Sequence, residues 1–190
     1  MENAISHVCH MTAPNADEEE TDYAQDLNYR ERLLIHRNAD KREERQNVIA
    51  ARIILESFPE TKIRIREHHL EEGVKNPEYE INGMLADRKG IESERGIKWG
   101  FISAIKQGCQ IVVIDLNDRM WSKPLRPNTI ARMIKWRHRD FELGTIKKCY
   151  VLYHERAVEV NAVHLETGEV PDIIKKLKPQ NTASEIDATA

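Results

Sequence analysis

Gln110-Ile111-Val112-Val113-Ile114-Asp115 is the most restrictive stretch of this sequence. Its four central residues are apolar and β-branched, so whatever they form is buried on both faces. The run is far too short to span a bilayer. A strand buried on both faces belongs to a parallel sheet with helices above and below it. Just before it, residues 97–107 carry Phe101, Ile102 and Ile105 at helical spacing, with Gly108 placed as the residue after the last turn. After it, residues 127–141 repeat the helical pattern through Ile130, Met133, Ile134 and Phe141, and residues 146–153 form a second apolar strand. Helix, strand, helix, strand in this order predicts an α/β protein: a mixed β-sheet flanked by helices.

The rest of the chain fits that scheme. Residues 40–58 read as a helix through Val48, Ala51, Ile54, Leu55 and Phe58, stopped by Pro59. Thr61-Lys62-Ile63-Arg64-Ile65-Arg66 alternates as a strand with one buried face, and residues 156–162 read as an edge strand. With 190 residues, 40% of them apolar, the chain has the size of one domain with a core of its own. Residues 1–26 lack periodicity and read as a disordered acidic leader, 27–165 as the folded body and 166–190 as a flexible tail.

Net charge is only −3, but its distribution is uneven. Residues 1–31 hold eight acids and one base, whereas 119–148 hold nine Lys or Arg and two acids, a division that favours a charged partner. Cys9, Cys109 and Cys149 are too sparse and odd in number for a disulfide framework. The last two adjoin apolar runs and read as buried thiols. A reducing, cytoplasmic setting follows, with no membrane partner and no signal peptide. His7-Val8-Cys9-His10 offers zinc ligands inside the leader, a cluster more often incidental than functional.

Chemistry concentrates around Asn82-Gly83, the preferred pair for a two-residue hairpin loop. That loop sets Ile81 opposite Met84, Glu80 opposite Leu85, Tyr79 opposite Ala86 and Glu78 opposite Asp87. Tyr79, Ile81, Met84 and Ala86 then share a core face. Glu78, Glu80, Leu85, Asp87 and Lys89 share the other. Facing carboxylates repel unless a divalent cation lies between them, and oxygen ligands suit Mg2+ or Mn2+, with Zn2+ as a further candidate. Lys89 is placed to neutralise charge that develops on a phosphate. The plainer alternative is an amphipathic hairpin with a wet outer face, on which Lys89 offsets the acids.

Pro77-Glu78, followed nine positions after the glutamate by Asp87-Arg88-Lys89, resembles the PD-(D/E)xK nuclease motif. The stretch from Asn76 to Lys89, with Ser103-Ala104-Ile105-Lys106-Gln107-Gly108 and Ile111-Val112-Val113-Ile114-Asp115-Leu116, is similar to the C-terminal tRNase toxin domains of contact-dependent growth inhibition proteins, over roughly residues 40–162. The resemblance implies a restriction-endonuclease-like core and metal-dependent cleavage of nucleic acid, RNA or tRNA before DNA. It also implies a neutralising immunity-type partner protein. Glu78 and Asp87 would hold the metal, Lys89 would stabilise charge, and Gln107, or its neighbour Lys106, would assist from the helix. Glu78 replaces the family's usual aspartate. The family's first-helix acid, which the resemblance makes a further metal ligand, falls on Glu44 or Glu43, unless Gln46 occupies its place and the acid is missing.

Arg132, Lys135 and Arg139 lie on adjoining sides of the helix at 127–141 and could grip a phosphate backbone. Trp121, Lys123, Arg126, Arg137 and His138 add to the segment, and Trp136 reads as packed inward. Asp115 ends a buried strand, where α/β sheets place ligands. Two other activities remain open: nucleic-acid or protein binding without cleavage, and a metal-independent ribonuclease built on His138 or on His68 of the His68-His69 pair.

Overall fold

The computed structural model describes residues 22–117 and 124–178. Eight strands form one sheet whose spatial order follows the chain: β1 (Tyr23–Asp26), β2 (Arg30–His36), β3 (Ile63–Ile65), β4 (Tyr79–Ile81), β5 (Met84–Gly90), β6 (Ile111–Asp115), β7 (Lys148–Tyr153) and β8 (Arg156–Val160). The β2–β3, β5–β6 and β6–β7 pairs are parallel and the other four antiparallel. Each parallel pair needs a crossover. Helix α1 (Glu44–Ser57) supplies the first, α2 (Glu94–Lys106) the second, and α3 (Pro127–Lys135) with α4 (His138–Glu142) the third. Two short helices, α5 (Ala162–Glu166) and α6 (Val170–Lys175), follow β8.

Alternation along β6 divides the core. Ile111 and Val113 pack with Ala50, Ala51, Ile54 and Leu55 of α1. Val112 and Ile114 pack with Ile97, Phe101 and Ala104 of α2 and with Ile130 and Ile134 of α3. Helices therefore cover both faces of the sheet, as the doubly buried strand predicts. Helix α2 stops where expected: Gly108 takes φ +79, its N–H reaches the Ile105 carbonyl, and the Cys109 N–H reaches that of Ala104. Among the described residues no helix is long and apolar enough to cross a membrane.

The structure corrects several expectations. The folded body is wider than residues 27–165. Tyr23–Asp26 is the edge strand β1, held by buried Asp26, whose carboxylate accepts the Asn28 and Tyr29 amides and pairs with Arg52 of α1 at 2.5 Å. At the other end, 166–178 is no loose tail. Val170, Ile173, Ile174 and Leu177 are buried in the α2–α3 core, and Arg156 bonds to the Lys176 and Lys178 carbonyls. Strand β2 joins the sheet beside β1, although no regular alternation marks it in the sequence. The single helix expected at 127–141 is two, because the chain turns at Trp136-Arg137 and the Arg137 N–H bonds back to Ile134 rather than Met133. The remainder of the leader, including His7 to His10, lies outside the described residues, as do 179–190, Trp121 and Lys123.

Ile174 is fully buried while Leu143 is mostly exposed. Ile174→Ala should cost roughly 2–4 kcal/mol, and Leu143→Ala no more than about 0.5 kcal/mol. Equal shifts in the urea midpoint for the two variants would contradict the placement of α6 in the core.

Candidate active site

The tip of the β4–β5 hairpin sets the register of everything that follows. Asn82 and Gly83 both take positive φ, +49 and +78, as a type I′ turn requires. The Asn82 side chain accepts the Lys62 amide at 2.8 Å, and the Asn82 N–H bonds to the Lys62 carbonyl at 3.0 Å, which ties the tip to the residue before β3. Tyr79 pairs with Ala86, Glu80 with Leu85 and Ile81 with Met84, as the sequence predicts. Glu78, one residue before β4, is thereby brought to Asp87.

The two acids meet in a poorly solvated place. Asp87 is 1% exposed and Glu78 is partly buried. One Glu78 oxygen, Oε2, accepts the Arg88 amide N–H at 3.1 Å, so its carboxyl lies against the β5 backbone at the Asp87–Arg88 peptide. Burial, and then the charge of Asp87, push the Glu78 pKa up to about 8, against the opposing pull of Arg88 and Lys89. Burial also holds the Asp87 carboxyl above its ordinary range, although Lys89 works against the rise. The Lys89 ammonium stands 2.7 Å from Asp87 Oδ2, which is ion-pairing distance. Lys89 is the partner of this buried oxygen, and its charge and hydrogen bond both favour the ionised form of Asp87.

Asp87 and Lys89 point to the α2 side of the sheet. A methyl group on Gly100 of α2 would lie 3.3 Å from the Lys89 Cβ and 3.3 Å from the Ile114 Cδ1, a tight fit that would require these neighbours to shift by a few tenths of an ångström. Arg66 stands on the other flank of the acids. Its N–H bonds to the Glu78 carbonyl at 2.9 Å, which continues the β3–β4 register and sets Arg66 beside Glu78 on the same sheet face. The Arg66 charge also reaches the Cys109 thiol, whose pKa burial and Asp87 push up to about 12. Arg66, Glu78 and Asp87 therefore lie in a row across three strands, with Lys89 one pleat beyond.

The intervening residue of the motif, Arg88, points the opposite way and organises the α1 side. Its Nε donates to Asn47 Oδ1 at 2.7 Å, Nη1 pairs with Asp115 at 3.1 Å and Nη2 with Glu43 at 3.2 Å. The Tyr79 hydroxyl donates to the Asn47 carbonyl at 2.9 Å. Burial opposes the charge on Arg88, but Tyr79, Glu78 and Asp115 outweigh it and raise its pKa. This network was not visible in the sequence, where Arg88 is one base among many. Asp115 was singled out for its place at a strand end, and its other oxygen accepts the Asn117 amide at 2.9 Å.

The remaining candidates are dispersed. Gln107 makes no contact with the acids; its side chain accepts the Asn76 amide at 2.9 Å and so fixes the segment that leads into Glu78. Glu44 pairs with Lys41 at 2.5 Å, whereas Glu43 is the first-helix acid whose charge raises both Glu78 and Asp87. Arg132, Lys135 and Arg139 are exposed on α3 and α4, and none pairs with an acid among the described residues. Trp136, expected to be packed, is 62% exposed. His68 faces Asp40 at 3.9 Å, His69 faces Glu67 at 4.0 Å and His138 faces Glu142 at 3.5 Å, all apart from the hairpin acids.

Glu78 titrates near pH 8 in the folded chain and at its ordinary 4.5 when unfolded. Between those values the folded state keeps a proton that the unfolded state has released, so stability is full below the lower pKa and falls as pH rises toward the upper one. Urea midpoints from about pH 5 to about pH 9 should fall for the wild type and flatten for Glu78→Gln, with Asp87 leaving a residual slope. The same slope in both proteins would show that Glu78 is not the buried acid described above.

No family model, curated protein or solved structure matches this chain, so a functional reading rests on the residues and geometry of the hairpin site itself.

Proposed function

We propose that the chain is a divalent-metal-dependent nuclease that hydrolyses phosphodiester bonds, on a restriction-endonuclease-like arrangement of the β4–β5 hairpin, α2 and β6. The observation that carries this reading is the meeting of Glu78 and Asp87 in one buried corner, with the Lys89 ammonium 2.7 Å from Asp87. Two neighbouring carboxyls held above their normal pKa form an oxygen donor set that a hard cation would satisfy. No group of three or more His, Cys, Asp or Glu among the described residues is arranged for a metal. The protein would therefore supply two ligands and water the rest. That suits Mg2+ or Mn2+, which retain waters, better than Zn2+, which is usually held by three or four protein ligands.

A bound cation of this kind polarises a phosphoryl oxygen and activates water. The protein's own groups do the remaining work. Glu78 and Asp87 would hold the metal as carboxylates, which for Glu78 means losing the proton it keeps near neutral pH, and Lys89 would be left to meet charge that grows on the phosphate. Arg66, on the other flank, is placed to hold a neighbouring phosphate. Gln107 acts at one remove, by fixing the backbone at Asn76. Arg132, Lys135 and Arg139 supply further attraction for the backbone from helices on the same side of the sheet. RNA is favoured over DNA on the motif resemblance alone.

The burial of Asp87 at 1% exposure is the observation that favours the second reading, in which the fold binds nucleic acid without cutting it. One comparison separates the two. Total RNA and plasmid DNA are incubated with the wild type in magnesium, with the wild type in EDTA, and with Asp87→Ala in magnesium. The nuclease reading predicts cleavage only in the first, with a loss of at least about 100-fold in the other two. Equal cleavage in all three would contradict it and favour metal-independent chemistry. No cleavage anywhere, with binding intact, would leave the binding module.

A further inference from the structure

The helix layer above the site presents an outward face whose basic residues the proposed function already draws on and whose two tryptophans it leaves without a role. Helix α2 buries Ile97, Gly100, Phe101 and Ala104, so Lys98 and Trp99 point away from the sheet. Helix α3 buries Ile130, Ala131, Met133 and Ile134, which turns Arg132, Lys135 and Trp136 outward, and α4 adds Arg139. The two longer helices pack against each other on one side of the sheet. The outward positions of both helices therefore carry indoles and cations.

Two observations point to a partner for this face. The chain has three tryptophans, and both of those in the described residues stand on it, Trp99 at 65% and Trp136 at 62% exposure. A large flat ring left in water forgoes burial that a helix this close to a core could easily provide. Among the described residues, Lys98, Arg132, Lys135 and Arg139 pair with no acid. Lys98 instead lies 5.7 Å from the centre of the Trp99 ring. Unpaired cations interleaved with exposed indoles complement a polyanion whose flat bases are free to stack. A duplex keeps its bases stacked inside and offers the indoles only its ends.

We infer that the outward face of α2, α3 and α4 binds single-stranded nucleic acid, with Trp99 and Trp136 stacking on unpaired bases and Lys98, Arg132, Lys135 and Arg139 holding the phosphates. This deepens the proposed nuclease by naming its substrate as an unpaired strand. It concerns a surface separate from the acids, so the two readings fail independently.

The test is binding, measured in EDTA so that no cleavage occurs. Labelled 12-nucleotide single strands of RNA and DNA are compared with a duplex of the same sequence, for the wild type, Trp99→Ala, Trp136→Ala, Trp136→Phe and Arg132→Ala/Lys135→Ala. The single strands should bind more tightly than the duplex and quench tryptophan fluorescence. Each Trp→Ala change should weaken single-strand binding roughly tenfold, and Trp136→Phe should restore part of the loss. The double basic variant should weaken both ligands and flatten the salt dependence by roughly 0.7 in log–log slope for each lost phosphate contact. RNA bound more tightly than DNA would mean that the ribose is read as well as the base; equal binding would mean stacking and charge alone, and both support the inference. Equal affinity for duplex and single strand, unmoved by either tryptophan variant, would overturn it, as would tryptophan-dependent binding to anionic phospholipid vesicles but not to nucleic acid. Loss of cleavage with tryptophan-dependent binding intact would remove the nuclease reading alone.

Discussion

Two carboxyls cannot share a poorly solvated corner and both remain charged unless something compensates them, and this constraint governs the centre of the molecule. The Asn82-Gly83 turn imposes it, because a hairpin with that loop has one register and Glu78 must then approach Asp87. A slip of one residue would move Tyr79 and Ile81, both fully buried, to the opposite face. The core therefore holds the acids together against their repulsion. The compensation visible in the fold is threefold: the Lys89 ammonium, the Arg88 amide N–H given to Glu78, and the proton that a pKa of about 8 retains on Glu78 near neutral pH. A bound cation would take over all three tasks.

The alternation of one strand distributes the charges. Asp87 and Lys89 project toward α2, and Arg88 between them projects toward α1, where Asn47, Asp115 and Glu43 receive it. Neither side buries a lone charge, which would cost several kcal/mol. The α1 network also fixes the backbone at residue 88, whose N–H supports Glu78, so the structural arginine positions the candidate catalytic pair. Gly100 brings α2 close to the stem of Lys89.

Features written in short, local patterns were legible in the sequence. The apolar run at 111–114 gave the parallel centre of the sheet, Gly108 the end of α2, and Asn82-Gly83 the hairpin with its register. Features that depend on distant partners were not. Strand β2 has an irregular burial pattern, because its place comes from β1 and β3 on either side rather than from alternation. Helices α5 and α6, of five and six residues, are too short to show a period, and their apolar residues gain meaning only from the core they complete. Trp136 is different: the buried set Ile130, Ala131, Met133 and Ile134 puts position 136 on the outward side of α3, so helical phase shows its exposure and ring size alone suggests packing. The hairpin acids were expected on a shared face, but nothing local foretold that Asp87 would be only 1% exposed there. Nor could the sequence show that Arg66, twelve residues before Glu78, stands beside it.

The account depends on Glu78 and Asp87 acting as one ligand pair, and a crystal soaked in manganese examines that most directly. The predicted result is an anomalous peak between the two side chains, within about 2.5 Å of an oxygen of each, with Lys89 displaced from Asp87. A crystal that takes up manganese elsewhere and leaves this corner empty, with Lys89 still against Asp87, would contradict it.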